Sequence, residues 1–92
     1  MRAILYVGHG TRSKKGAAEA KSFLQKIIRQ TNISIQEISF LELTEPFIEE
    51  GFIRCVKKGA AAITVVPLFL LKRKLKSIFR KMKYVPTSWL LL

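Results

Sequence analysis

Arg2-Ala3-Ile4-Leu5-Tyr6-Val7-Gly8-His9-Gly10-Thr11-Arg12-Ser13 decides how this chain folds. Ala3 to Val7 is an unbroken apolar run rich in strand-forming residues, which is the mark of a strand covered on both faces. It stops at Gly8-His9-Gly10, a tight turn. From Ser13 the period changes: Ala17, Ala20, Leu24, Ile27 and Ile28 recur at three- and four-residue spacing among charged and amide residues. This predicts an amphipathic helix of about five turns ending near Thr31-Asn32.

The same alternation repeats downstream. Ser34 to Leu41 is a second extended segment, and Thr44-Glu45-Pro46 then places a capping hydroxyl and an early proline before Phe47, Ile48, Phe52, Cys55 and Val56. Lys57-Lys58 and Gly59 suit the end of that second helix. Ala61 to Phe69, with Ile63-Thr64-Val65-Val66 at its centre, forms the third strand. The order is β-α-β-α-β followed by a basic helical tail. It implies right-handed crossovers and a parallel sheet in a three-layer α/β domain.

In such sheets ligands bind beyond the carboxyl ends of the strands, so Gly8 to Ser13, Leu41 to Glu45 and the residues after Pro67 should line any site. His9, the only histidine, lies between two glycines at the first strand's tip. Histidine exchanges protons near neutral pH and ligates metals, although a histidine in a turn can also serve only local hydrogen bonding. Glu42, just past the second strand, is one sheet position from His9 if the crossover is ordinary, and the two can share a divalent metal. The plain alternative is a surface loop carboxylate. Arg12 can fork onto a carboxylate or phosphate, or simply be solvated. Neither G-x-x-x-x-G-K-S/T nor G-x-G-x-x-G is present, which argues against nucleotide binding.

Composition narrows the classes further. Ninety-two residues make one small domain, and 49% hydrophobic residues with a mean hydropathy of +0.18 are too apolar for a disordered chain. One cysteine, Cys55, allows no internal disulfide, and no signal-peptide pattern precedes the first strand, so a cytoplasmic, reduced setting is expected. The longest apolar stretch, Val65 to Leu71, falls far short of the roughly 20 residues a spanning helix needs. The formal charge is +11, unevenly placed. Residues 72–92 carry 7 Lys or Arg and no acid, whereas all 6 Glu lie before them.

The strand ends also resemble a known family. Ile4-Leu5-Tyr6-Val7-Gly8-His9-Gly10-Thr11-Arg12, Gln36-Glu37-Ile38-Ser39-Phe40-Leu41-Glu42-Leu43-Thr44-Glu45-Pro46 and Val65-Val66-Pro67-Leu68-Phe69-Leu70-Leu71 are similar, in order and spacing, to the sirohydrochlorin chelatases of the small bacterial type. The resemblance covers residues 1–71. It implies a class II chelatase fold and insertion of Fe2+ or Co2+, as substrate, into sirohydrochlorin for siroheme or cobalamin, with no resident cofactor. By the same resemblance His9 binds the metal and takes pyrrole protons, Glu42 helps hold the metal, and Gly10, Arg12, Leu70 and Leu71 face the tetrapyrrole. A homodimer is expected, and neither specific nucleic-acid binding nor membrane contact through the tail is.

After Leu71 the chain departs from that pattern. The family continues with a second histidine and an Asp-Ile-Pro-Glu segment, where this chain has Lys72-Arg73-Lys74-Leu75-Lys76-Ser77-Ile78-Phe79-Arg80-Lys81. Ser77 to Lys81 can be encoded by TCG-ATA-TTC-CGG-AAG, one choice among several, which from the third base of the serine codon reads Asp-Ile-Pro-Glu. Residues 1–71 are therefore expected to be the N-terminal part of a chelatase-like domain, and residues 72–92 a frameshifted, basic amphipathic tail that impairs activity and leaves one sheet edge open. Two other readings remain: a basic-helix protein binding anionic membrane or nucleic acid, and a metal or tetrapyrrole carrier without turnover. Leu71, Leu75, Ile78, Phe79 and Met82 share one face of the expected tail helix, which should pack loosely or project.

Overall fold

A computed structural model describes residues 1–68, 72–82 and 89–91. Its elements are β1 (Arg2–Gly8), α1 (Lys14–Gln30), β2 (Ile35–Phe40), α2 (Ile48–Lys57), β3 (Ala62–Pro67), α3 (Lys72–Lys81) and β4 (Trp89–Leu91). The strands form one sheet in the order β2-β1-β3-β4, every pair parallel. β1 is central because its apolar run has two faces and two edges to satisfy. Leu5 and Val7 are fully buried, and β1 bonds to β2 and β3 along nearly its whole length.

The helices cover the two faces. On one side α1 lays Leu24, Ala20, Ile27 and Ile28 against Tyr6 and Phe40. Its start is fixed by Ser13, whose hydroxyl accepts a bond from the Gly16 N–H at 3.0 Å, satisfying a donor that the first helical turn leaves free. On the other side Phe52 and Cys55 of α2, with Leu75 and Phe79 of α3, pack on Ala3, Leu5, Ile63 and Val65. The Phe52 and Phe79 rings meet edge to face at 5.5 Å, an arrangement aromatic quadrupoles favour. No helix among the described residues is long and apolar enough to cross a membrane.

Three expectations need correction. The Thr44 hydroxyl does not cap α2: Phe47 is the N-cap with no side-chain bond, and Thr44 is engaged elsewhere. Acidic Glu49 and Glu50 in the first turn complement the helix dipole instead. The tail helix does not project, because Leu75 is fully buried and Phe79 is 6% exposed, so burial of its apolar stripe docks it onto the α2 face. The sheet edge at β3 is not left open, since β4 pairs with it from Ile63↔Trp89 to Val65↔Leu91.

The opposite edge, β2, is protected differently. Glu37, 8% exposed, pairs with Lys58, and the Phe40 N–H donates to the Pro46 carbonyl at 2.8 Å, so the strand's end is covered by its own outgoing loop. A charge turned inward and a covered end both discourage edge-to-edge pairing.

Candidate functional site

The parallel register sets the site. Gly8 pairs with Phe40, so the next residues of both strands leave the sheet side by side. The ladder continues two steps past them: the Leu41 N–H donates to the Gly8 carbonyl at 2.9 Å and the Glu42 N–H to the His9 carbonyl at 3.2 Å. Gly10 then turns away with φ +100°, a conformation that side chains disfavour. Thr44 ties the two loops together, its hydroxyl accepting from the Thr11 N–H and donating to the Thr11 carbonyl, both at 2.9 Å. Between these ties Leu43 adopts φ +66° while the Thr44 N–H donates to the Glu42 carbonyl at 2.8 Å. A non-glycine residue in that region is strained, and such strain concentrates at functional loops.

The result is that His9 Nε2 and Glu42 Oε1 lie 3.5 Å apart, with each side chain about half exposed. Two ligand atoms each about 2.1 Å from one ion stand roughly 3.0 to 3.4 Å apart for right-angled to tetrahedral geometry. The pair therefore needs only a small closing motion to hold one divalent cation between nitrogen and oxygen. Among the described residues no group of three or more His, Cys, Asp or Glu side chains converges, so this is a two-ligand arrangement open to incoming groups. Cys55 takes no part: it is fully buried, and its thiol is pushed up to about 11, mainly by burial, then by Glu37, with Lys58 opposing.

Beside His9 opens a cleft of about 450 Å³ between the β1 exit loop and α1. Gly8, Gly10 and Gly16 keep its walls low, Leu24, Phe40 and Leu68 make it apolar, and Phe23 stands at it 55% exposed. A Cβ on Gly8 would come within 3.1 Å of the Phe40 ring, so glycine there lets the ring approach the strand end closely. The cleft can take an apolar part of a ligand whose polar groups reach toward the His9–Glu42 pair.

Of the residues singled out by sequence, His9, Glu42 and Gly10 come together. Arg12 is exposed and does not line the cleft, and Leu70 and Leu71 lie outside the described residues. Leu68 and Thr44 fall in the stretches expected to line a site without having been singled out as its residues, and Phe23 lies outside them. Phe23 sits three residues after Ala20 and four before Ile27, on the flank of the helix's apolar stripe, and that spacing was the available signal. Thr44 offered none beyond its apparent suitability as a cap.

A model of the CbiX family matches residues 3–78. The sirohydrochlorin ferrochelatase of Bacillus subtilis is 59% identical over 70 residues, covering 76% of this chain and 27% of that protein. The sirohydrochlorin cobaltochelatase of Priestia megaterium is 36% identical over 72 residues, 77% of this chain and 23% of the relative. The chain thus spans about a quarter of the length of these curated relatives. Among solved structures, SirB from Bacillus subtilis with Fe3+ superposes with a TM-score of 0.85 at 46% identity, covering 98% of this chain and 38% of the other. A CbiX protein from Marinobacter aquaeolei, at 19% identity and TM-score 0.78, shares the fold over the whole of this chain and 80% of its own.

Proposed function

Since this chain belongs to the CbiX family, we propose that it carries the metal-handling part of a sirohydrochlorin chelatase, which places Fe2+ or Co2+ in sirohydrochlorin. The observation that carries this reading is the His9–Glu42 pair, 3.5 Å apart beside an apolar cleft. Insertion requires the metal to shed water while two pyrrole N–H protons leave. A neutral imidazole can ligate the ion or accept a proton, and a neighbouring carboxylate favours the cation throughout. His9 therefore acts as ligand and base, Glu42 as the anionic ligand, and Gly10 as the small residue letting the macrocycle approach. Arg12, Leu70 and Leu71 are assigned to the outer parts of the tetrapyrrole, and two copies pair so that one covers the other's open site.

Turnover by this polypeptide is proposed to be low, because the segment after Leu71 brings no second histidine. The decisive experiment follows the absorbance of sirohydrochlorin with Fe(II) and Co(II), using this chain, its His9→Ala variant, and a chain with the reading frame restored after Leu71. The expected order is restored chain fastest, this chain slow, His9→Ala slowest. Equal rates for the first two would show that the tail does not impair insertion. Equal rates for this chain and His9→Ala would remove the catalytic role of His9.

The two-ligand count also favours a carrier that binds metal and tetrapyrrole without joining them. Metal binding by calorimetry together with no insertion in any of the three proteins would select that reading.

A further inference from the structure

The outer face of α3 is a row of cations that the metal site does not use. Arg73, Lys76, Arg80 and Lys81 are exposed, with Ser77 exposed among them. At 100° per residue these positions centre about half a turn from Leu75, Ile78, Phe79 and Met82, the stripe that packs on the core. The orientation is held from beneath, since Leu75 is fully buried and Phe79 meets Phe52. α3 contains no acidic residue, and the ion pairs His9–Glu42, Arg54–Glu50 and Lys58–Glu37 are made elsewhere in the fold.

We propose that this face is a binding surface for the phosphate backbone of nucleic acid, used without regard to base sequence. A membrane fits less well. An interfacial helix inserts its apolar side into lipid, and here that side is already spent on the protein core. A small anion fits less well too, because Arg73 to Arg80 run along about 10 Å of helix and line neither the cleft beside His9 nor the groove between α2 and α3. A linear array of cations matches a linear array of anions, and duplex DNA offers about one charge per 1.7 Å of its axis. The two guanidinium forks and the Ser77 hydroxyl can donate to phosphate oxygens. With no exposed aromatic residue among those described on this face, it has no platform for base stacking.

The test is fluorescence anisotropy with two labelled duplexes of unrelated sequence over about 50 to 200 mM salt. The unaltered chain should bind both within about twofold, with affinity falling steeply as salt rises. Arg73→Gln/Lys76→Gln/Arg80→Gln should flatten the slope of log affinity against log salt by about 2 to 3, glutamine preserving helix propensity. The charge-matched variant Lys26→Gln/Arg29→Gln/Lys57→Gln, altered at exposed positions on other helices, should change it by less than about 1. Equal losses in the two variants would mean that only net charge matters, and strong preference for one duplex would exclude a backbone contact. Tighter binding to phosphatidylglycerol vesicles than to either duplex would assign the face to membrane instead. Any of these three results overturns the proposal. Far-UV circular dichroism of each variant establishes that α3 is retained before the slopes are compared.

Discussion

The carbonyl oxygen of Glu42 occupies the space where a side chain on Gly10 would begin: a Cβ there would lie only 1.7 Å from it. The backbone carrying the candidate carboxylate and the turn carrying the candidate imidazole are thus in contact, and the contact requires glycine.

Gly10→Ala is therefore expected to push the Leu41–Thr44 loop away and to strain φ at residue 10, which together cost about 2–4 kcal/mol. The urea midpoint should fall accordingly. Co(II) affinity should fall further than in a variant of equal stability altered elsewhere in the core, because His9 and Glu42 are separated directly.

Cobalt binding to the unaltered chain should weaken as pH falls, since protons and metal compete for the same imidazole nitrogen. His9→Ala should lose most of that dependence. Glu42→Gln should bind about 10-fold more weakly at every pH while keeping it, because the charged ligand goes but the competing proton stays. Calorimetric titration at several pH values distinguishes the three proteins; unchanged affinity in His9→Ala would reduce the histidine to a turn residue.

The buried Cys55 thiol predicts a loss of stability in alkali. Its pKa rises from an ordinary 9.0 to about 11 in the folded chain, so folding favours the protonated form. The contribution is complete below pH 9 and is lost as pH rises through about 11. At pH 10 that loss is about 1 kcal/mol. Chemical denaturation between pH 8 and 11 should show a shallower decline in Cys55→Ala than in the unaltered chain, the lysines and tyrosines being common to both.

Phe79 and Phe23 should separate stability from ligand binding. Phe79→Ala empties a site 6% exposed beside Phe52 and should cost about 3–4 kcal/mol in a denaturant titration. Phe23→Ala removes a ring that is 55% exposed and should cost less than about 1 kcal/mol. It should nonetheless weaken sirohydrochlorin binding, read from ligand absorbance, because it takes away a wall of the cleft beside His9.

Much of this architecture was legible in the sequence because buried parallel strands and an amphipathic helix write different periods. Ala3 to Val7 and Ile63 to Val66 read as continuous apolar runs, and Ser13 announced the start of α1. The approach of His9 to Glu42 followed from a single crossover between neighbouring strands. The details that make the pair close did not follow. Thr44 looks like a helix cap from its neighbours in sequence, and only the folded chain brings Thr11, thirty-three positions earlier, within reach of its hydroxyl. Tight packing of α3 was equally hidden, since a stripe of Leu75, Ile78, Phe79 and Met82 states that a face must be covered without stating by what.

The Gly8↔Phe40 register carries a kinetic consequence. His9 and Glu42 come from loops joined through the whole of α1, and closing so long a segment costs entropy before any long-range contact repays it. Neither side chain has the other beside it until β2 has aligned on β1, and a slip of one residue would turn the β2 side chains to the opposite face. A metal ion therefore cannot template this sheet early in folding. It binds chains whose central strands are already paired, so cobalt added during refolding should slow unfolding of the finished domain while leaving its rate of formation unchanged.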